Sequence, residues 1–193
     1  MSGQQAKLIS LSVLRRVLGH VQRHSQHPAR DRAMILLSVR AGLRAAEIAQ
    51  LTWPMVLDAS GHIGDTLAVP DRIAKKGSGR RLPLHPELRD ALVDLMQLGD
   101  NRSGPVVGSV RGGAMRANSI VNWFVALFAE LGVDGCSSHS GRRTFITLAA
   151  RNAHRAGCSL RDVQLLAGHR SIETTQRYID GDTVAQRKLV SLL

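Results

Sequence analysis

The 193-residue sequence has very few aromatic side chains: one tyrosine, two tryptophans and three phenylalanines, 3% of the chain. That argues against single-stranded nucleic acid bound by stacking bases on aromatic platforms. It has two cysteines, Cys136 and Cys158, neither in a Cys-x-x-Cys pair; this speaks against a disulfide framework or a cysteine zinc site and for reduced, structural thiols. No run of eighteen apolar residues occurs, so no membrane span is indicated. The N-terminus lacks the charged-then-apolar pattern of a signal peptide, and the expected compartment is the cytoplasm. Internal repeats and low-complexity tracts are absent. Acidic charge is also short, with 15 Asp and Glu against 26 Lys and Arg, a net charge of +11. Such an excess favours a polyanionic partner, most simply duplex nucleic acid gripped through its phosphates; solubility charge and a membrane-surface patch are the other readings.

What is present is mostly helical periodicity. The length suits a single domain or two small lobes. Residues 1–11 carry no pattern and read as a flexible N-terminus or connector. Val13, Leu14, Val17, Leu18 and Val21 follow at helical spacing, with Ser12 as the expected cap. His20, His24 and His27 near its end read as a polar helix face rather than a metal site, because no carboxylate or cysteine accompanies them. Pro28 to Ala41 reads as a more buried helix stopped by Gly42. Arg44 opens a third helix, AAEIAQL, in which Glu47, three residues on, is placed to pair with its guanidinium.

From Asp58 to Leu84 the period becomes two. HIGDTLAVP and RRLPL predict an antiparallel hairpin or three-stranded sheet around the basic connection DRIAKKGSGR. A helix over Glu87–Leu98 and another capped by Asn118 and closed by Gly132 come next. In SSHSGRRTFITLAARN, His139 and Arg142 precede a helix and fall where its exposed N–H groups and positive dipole end favour an anion. Ser159 and Asp162 form a capping-box pattern for a helix that Gly168 ends, and Ser171 is placed to cap Ile172–Ile179, which carries Tyr178, the chain's one tyrosine. The tail, DTVAQRKLVSLL, reads as a short helix. The expected fold is therefore α+β and mainly α-helical.

In order along the chain, AGLRAAEIAQLTW resembles the first arginine box of the tyrosine recombinases, the phage integrase family; HSGRRTFIT resembles its H-x-x-R box, and LLAGHRSIETTQRY its GH box followed by the nucleophilic tyrosine. KKGSGRRLPL is similar to the segment bearing that family's catalytic lysine, eight residues before a proline; counting back from Pro83 selects Lys75, with Lys76 the alternative. The resemblance runs from about Ser12 to the C-terminus. It implies the family's DNA breaking-rejoining catalytic fold over residues 12–180, with the tail at 181–193 packed in cis or exchanged with a neighbouring protomer.

The resemblance further implies a catalytic set of Arg44, Lys75, His139, Arg142, His169 and Tyr178, with Glu47 supporting Arg44. Lys76, Arg80, Arg81, Arg143 and Arg170 are candidates for DNA-phosphate contacts. Arg143 stands where many relatives have histidine, and Ala41 where many have threonine; neither change removes a reacting group. The implied activity is metal- and cofactor-independent cleavage and rejoining of double-stranded DNA through a 3′-phosphotyrosyl link. The alternatives are a type IB-like topoisomerase activity or a non-catalytic DNA-binding regulator on the same scaffold. Self-association is expected, as a tetramer on DNA and a monomer without it, in a bacterial or phage-encoded, nucleoid-associated protein. The helical clamp domain that usually precedes this fold is not in the sequence, so a fragment or a minimal recombinase is expected, with modest, salt-sensitive affinity for DNA.

Overall fold

The computed structural model describes residues 6–99, 102–178, 187 and 190–191. It divides into two compact units, Met1–Phe145 and Ile146–Leu193.

In the first unit, α1 (Leu11–His24) buries Leu14, Val17 and Val21 along one stripe. Its cap is Ser10 rather than Ser12: the Ser10 hydroxyl accepts the Val13 N–H at 3.3 Å, and Ser12, already helical, pairs with it side chain to side chain. One serine oxygen can complete the first turn, and the one with extended backbone does so. α2 (Pro28–Arg40) starts with proline at its first position, where a missing N–H costs nothing. It is buried without a break from Ala33 to Val39 and packs against both α1 and α4 (Pro86–Met96), so it forms the centre of the unit. Gly42, at φ +61°, reverses the chain after it. α3 (Ala45–Ala49) then packs on α5 (Ala117–Glu130). The cap of α5 is Arg116, and Asn118 sits inside the first turn instead.

β1 (Thr66–Val69) and β2 (Arg80–Pro83) pair antiparallel, with Val69 opposite Arg80 and Leu67 opposite Leu82. The two leucines are buried while Arg81 and Pro83 face out, the period-two pattern of a half-buried hairpin. A third strand does not form among the described residues. Ile63 makes only an isolated bridge to Leu57, because the Asp58 carboxylate accepts the N–H groups of Ser60 and His62 and folds the intervening residues into a tight turn.

Of the expected N-terminal connector, residues 1–5 lie outside the described residues, and residues 6–10 precede α1 with specific anchors. The Lys7 N–H donates to the Gly135 carbonyl at 2.9 Å, the Ile9 N–H to Thr144 Oγ1 at 2.8 Å, and Ile9 is buried. A single buried apolar residue with two backbone anchors leaves no periodicity for a sequence reading to detect.

The division between units falls within α6 (Ser140–Asn152). The second unit continues with α7 (Leu160–Ala167) and α8 (Ile172–Gln176), which pack on each other. The Ser159–Asp162 capping box forms, and Gly168 ends α7 at φ +62°. Ile179 and most of the expected tail helix lie outside the described residues; Arg187 and Val190 are helical, and the Ser191 N–H donates to the Arg187 carbonyl.

Candidate active site

In the first unit the site starts at the turn between α2 and α3. Gly42 takes its left-handed conformation where a side chain would overlap the ring of Phe145, so the chain must turn here with glycine. Leu43 is fully buried, and that anchors the next residue, Arg44, at the N-cap of α3. The Glu47 carboxylate accepts the Arg44 backbone N–H at 3.0 Å and its Nη1 at 2.8 Å. This is half of a capping box; a guanidinium has no acceptor to return the bond.

Glu47 also receives a second arginine. Arg80, the first residue of β2, donates Nη1 to Oε1 at 3.1 Å and Nη2 to Oε2 at 2.9 Å. The Glu47 side chain is 0% exposed and that of Arg80 4%, whereas Arg44 keeps 24%. Burial alone pushes the Glu47 carboxyl up. The hydrogen bonds and charge of Arg80, with those of Arg44, more than offset it and hold the group at about 2, so the site contains a fixed anion between two cations. Arg80 is therefore corrected from a DNA-phosphate contact to an internal ion pair: its fork is spent inside the fold.

His139 immediately precedes α6 and is exposed; its N–H donates to Ser137 Oγ. Arg142 is not ahead of that helix but within its first turn, 4% exposed, and its Nη1 donates to the Gly42 carbonyl at 2.6 Å. The approach is close because position 141 is glycine: a Cβ there would overlap Ser38 of α2. The structure thus lays Arg142 against the backbone two residues before Arg44. Arg143, half-buried, donates to the Ala6 carbonyl at 2.9 Å, which gives it a role in seating the N-terminal segment.

Lys75 and Lys76 are exposed in the connection between β1 and β2. Ile73 and Ala74 are buried beneath them, Ser78 Oγ donates to the Lys75 carbonyl at 2.9 Å, and the Gly79 N–H donates to Asp71 Oδ1 at 2.7 Å. The basic connection is closed by its own hydrogen bonds. Lys76 alone among the described non-glycine residues has positive φ, +61°. Arg81 and Arg170 are exposed.

In the second unit, His169 follows the left-handed turn at Gly168. Gln164 holds its backbone from both sides, its carbonyl accepting the His169 N–H at 3.1 Å and its side-chain Nε2 donating to the His169 carbonyl at 2.9 Å. The ring Nδ1 lies 3.0 Å from the hydroxyl of Thr175, which is fully buried. Tyr178 follows α8 in a turn, half-buried; its N–H donates to the Thr175 carbonyl and its own carbonyl accepts from Thr147 Oγ1 at 3.4 Å. The His169 and Tyr178 rings stack, with centroids 5.5 Å apart and planes 22° apart. The expected pair thus stacks ring on ring within this unit, with His169 also facing the Thr175 hydroxyl.

Sequence reading missed Arg80, Gln164 and Thr175 as positioning groups. Arg80 meets Glu47 across 33 positions, and no local pattern encodes that distance. Gln164 and Thr175 flank His169 and were readable only as helix residues.

Among the described residues no helix is long and apolar enough to cross a membrane. The sequence model of the phage integrase family matches residues 7–183. The tyrosine recombinase XerC of Brucella suis biovar 1 is 34% identical over 165 residues, covering 80% of this chain and 47% of that protein. The integrase from mycobacterium phage Brujita superposes with a TM-score of 0.62 at 26% identity, over 88% of this chain and 51% of that one. The Tn1549 transposon integrase, in complex with a circular intermediate DNA, gives a TM-score of 0.77 at 17% identity, over 100% and 67%, a likeness of fold. The chain spans about half the length of the curated relatives it matches.

Proposed function

The chain belongs to the phage integrase family, and on that premise we propose that it is a site-specific recombinase that cleaves and rejoins double-stranded DNA without a metal. The phenol oxygen of Tyr178 attacks the scissile phosphorus; the Tyr178 O–P bond forms as the P–O5′ bond breaks. A phenol titrates near 10, so its proton leaves during attack, to a base for which His139 is the candidate. Lys75 gives its Nζ proton to the departing 5′ oxygen, which leaves as a hydroxyl. Arg44 and Arg142 stabilise the charge building on the non-bridging oxygens, since guanidinium forks make paired charge-assisted bonds to phosphate.

His169 donates from Nε2 to the same phosphate. With Nδ1 facing the Thr175 hydroxyl, that role is met by the neutral Nε2–H tautomer accepting from Thr175, or by the imidazolium. The 3′-phosphotyrosyl product conserves the bond for rejoining to a new 5′ end, whose attack reverses each proton movement.

The observation that supports this most is the Arg142 bond to the Gly42 carbonyl, which seats one guanidinium beside the turn that presents the other. The relatives' names, recombinase and integrase, favour strand exchange over the topoisomerase and regulator readings. Self-association on DNA and action in the cytoplasm belong to the same proposal. The test uses a nicked or half-site duplex and a denaturing gel. The wild-type chain forms a covalent adduct and Tyr178→Phe binds DNA but forms none; an adduct that survives the substitution overturns the assignment.

A further inference from the structure

Arg80 is the first residue of β2 and the fifth after Lys75, and its guanidinium is committed to the carboxylate that also holds Arg44. The connection between Lys75 and Arg80 is short and closed. Ser78 Oγ donates to the Lys75 carbonyl and the Gly79 N–H to Asp71 Oδ1. Gly79 has no room for a side chain, because a Cβ there would lie 2.7 Å from Asp71 Oδ1 and 2.9 Å from the Val69 carbonyl. Upstream, Ile73 and Ala74 are buried and the Ile73 N–H donates to the Pro70 carbonyl at 3.1 Å. A shift at Arg80 is therefore passed on to Lys75 through bonded and close-packed neighbours.

We propose that Arg80 is a positioning residue for the cleavage step: through Glu47 it locks the lysine-bearing connection to Arg44, so that the ammonium and the guanidinium meet one phosphate in a fixed relation. This rests on the recombinase reading and extends it. A pair present only for stability has little need of charge, since well-packed apolar residues often replace buried ion pairs without loss. Here, moreover, Arg80 Nε is buried without a hydrogen-bond partner, so the group is built around the two bonds to Glu47 rather than around its own satisfaction.

The test compares adduct formation on two duplexes, one ordinary and one with sulfur in place of the bridging 5′ oxygen at the scissile phosphate. A thiolate leaves without a proton, so the sulfur duplex removes the need for the general acid and for nothing else. Lys75→Ala is slow on the ordinary duplex and recovers on the sulfur one; Arg44→Ala is slow on both. Arg80→Met is expected to follow Lys75→Ala, slowed by about a hundredfold on oxygen, the scale of a misplacement of about 1 Å, and restored to within a few fold on sulfur. Arg80→Lys, which keeps a charge beside Glu47 with one bond in place of two, gives the same pattern at about tenfold and serves if the methionine protein does not fold. An Arg80 variant as fast as wild type on oxygen overturns the proposal. So does one equally slow on both duplexes, or a Lys75→Ala protein that sulfur does not rescue. A wild-type protein that forms no adduct on either duplex removes the recombinase reading itself, a result separate from these.

Discussion

Replacing Glu47 by glutamine probes the centre of the first unit directly. The carboxylate accepts four bonds, one from the Arg44 backbone, one from its Nη1 and two from Arg80. The glutamine amide presents one oxygen and one NH2 to that ring of donors, so one side must face N–H against N–H, and Arg80 is left buried with no counter-charge. Breaking a buried pair in this way costs about 3–5 kcal/mol at neutral pH.

The acid dependence gives an independent measure. The Glu47 carboxyl lies at about 2 in the fold against an ordinary 4.5, a difference that contributes about 3 kcal/mol of stability. Because the folded value is the lower one, the contribution is full above the ordinary value and is lost as pH falls towards 2; about 2 kcal/mol is gone at pH 3. Urea unfolding of wild type and Glu47→Gln at pH 7, 5, 4 and 3 isolates this contribution, since every other titrating group is common to both. The gap between the two proteins should be several kcal/mol at pH 7 and shrink by about 2 kcal/mol at pH 3. A gap under about 1 kcal/mol at pH 7, or one that does not change with acid, refutes the two-arginine account.

Thr175→Val keeps the shape of a fully buried residue but removes the hydroxyl that faces His169 Nδ1; it should cost about 1–3 kcal/mol by chemical unfolding and slow adduct formation by about tenfold through a less constrained imidazole. Gly42→Ala places a side chain at φ +61° and against the Phe145 ring, for a loss of at least about 2 kcal/mol read as a lowered urea midpoint. Arg81→Ala and Arg170→Ala, both at exposed cations, should each reduce the slope of log Kd against log salt by about one, measured by fluorescence anisotropy on duplex DNA; Arg80→Met, with its cation already inside the fold, should leave that slope unchanged.

Much of the fold is written in local pattern. α1, α5 and α7 have one apolar stripe and clear stops, and α2 announces its central place by the unbroken apolar run from Ala33 to Leu37, followed by Val39. Errors arise where two residues compete for one local role, as with Ser10 and Ser12 or Arg116 and Asn118. The winner there depends on where the backbone leaves the extended conformation, which side-chain chemistry does not decide. The β-like stretch HIGDTLAVP becomes strand only from Thr66 for a related reason: at Ile63 alternation is satisfied, but Asp58 draws the chain into a turn. For the site, the ordered boxes name the reacting groups, while the supports escape because they act at a distance. Glu47 is readable as the Arg44 partner three residues away, yet its second partner comes from another element. The Gly42 carbonyl that receives Arg142 has no side-chain signature at all.

Lys76 is held in the left-handed region beside Gly77, which is there too. Two such residues in succession bend the backbone sharply just past Lys75, and only the second is free of steric cost. An asparagine or glycine at position 76 would relax the turn by up to about 1 kcal/mol, so the two neighbouring lysines are not interchangeable parts. For anyone re-engineering this loop, position 76 is where charge can be traded for foldability. Position 75, its carbonyl pinned by Ser78, is where the loop's geometry is spent on the side chain.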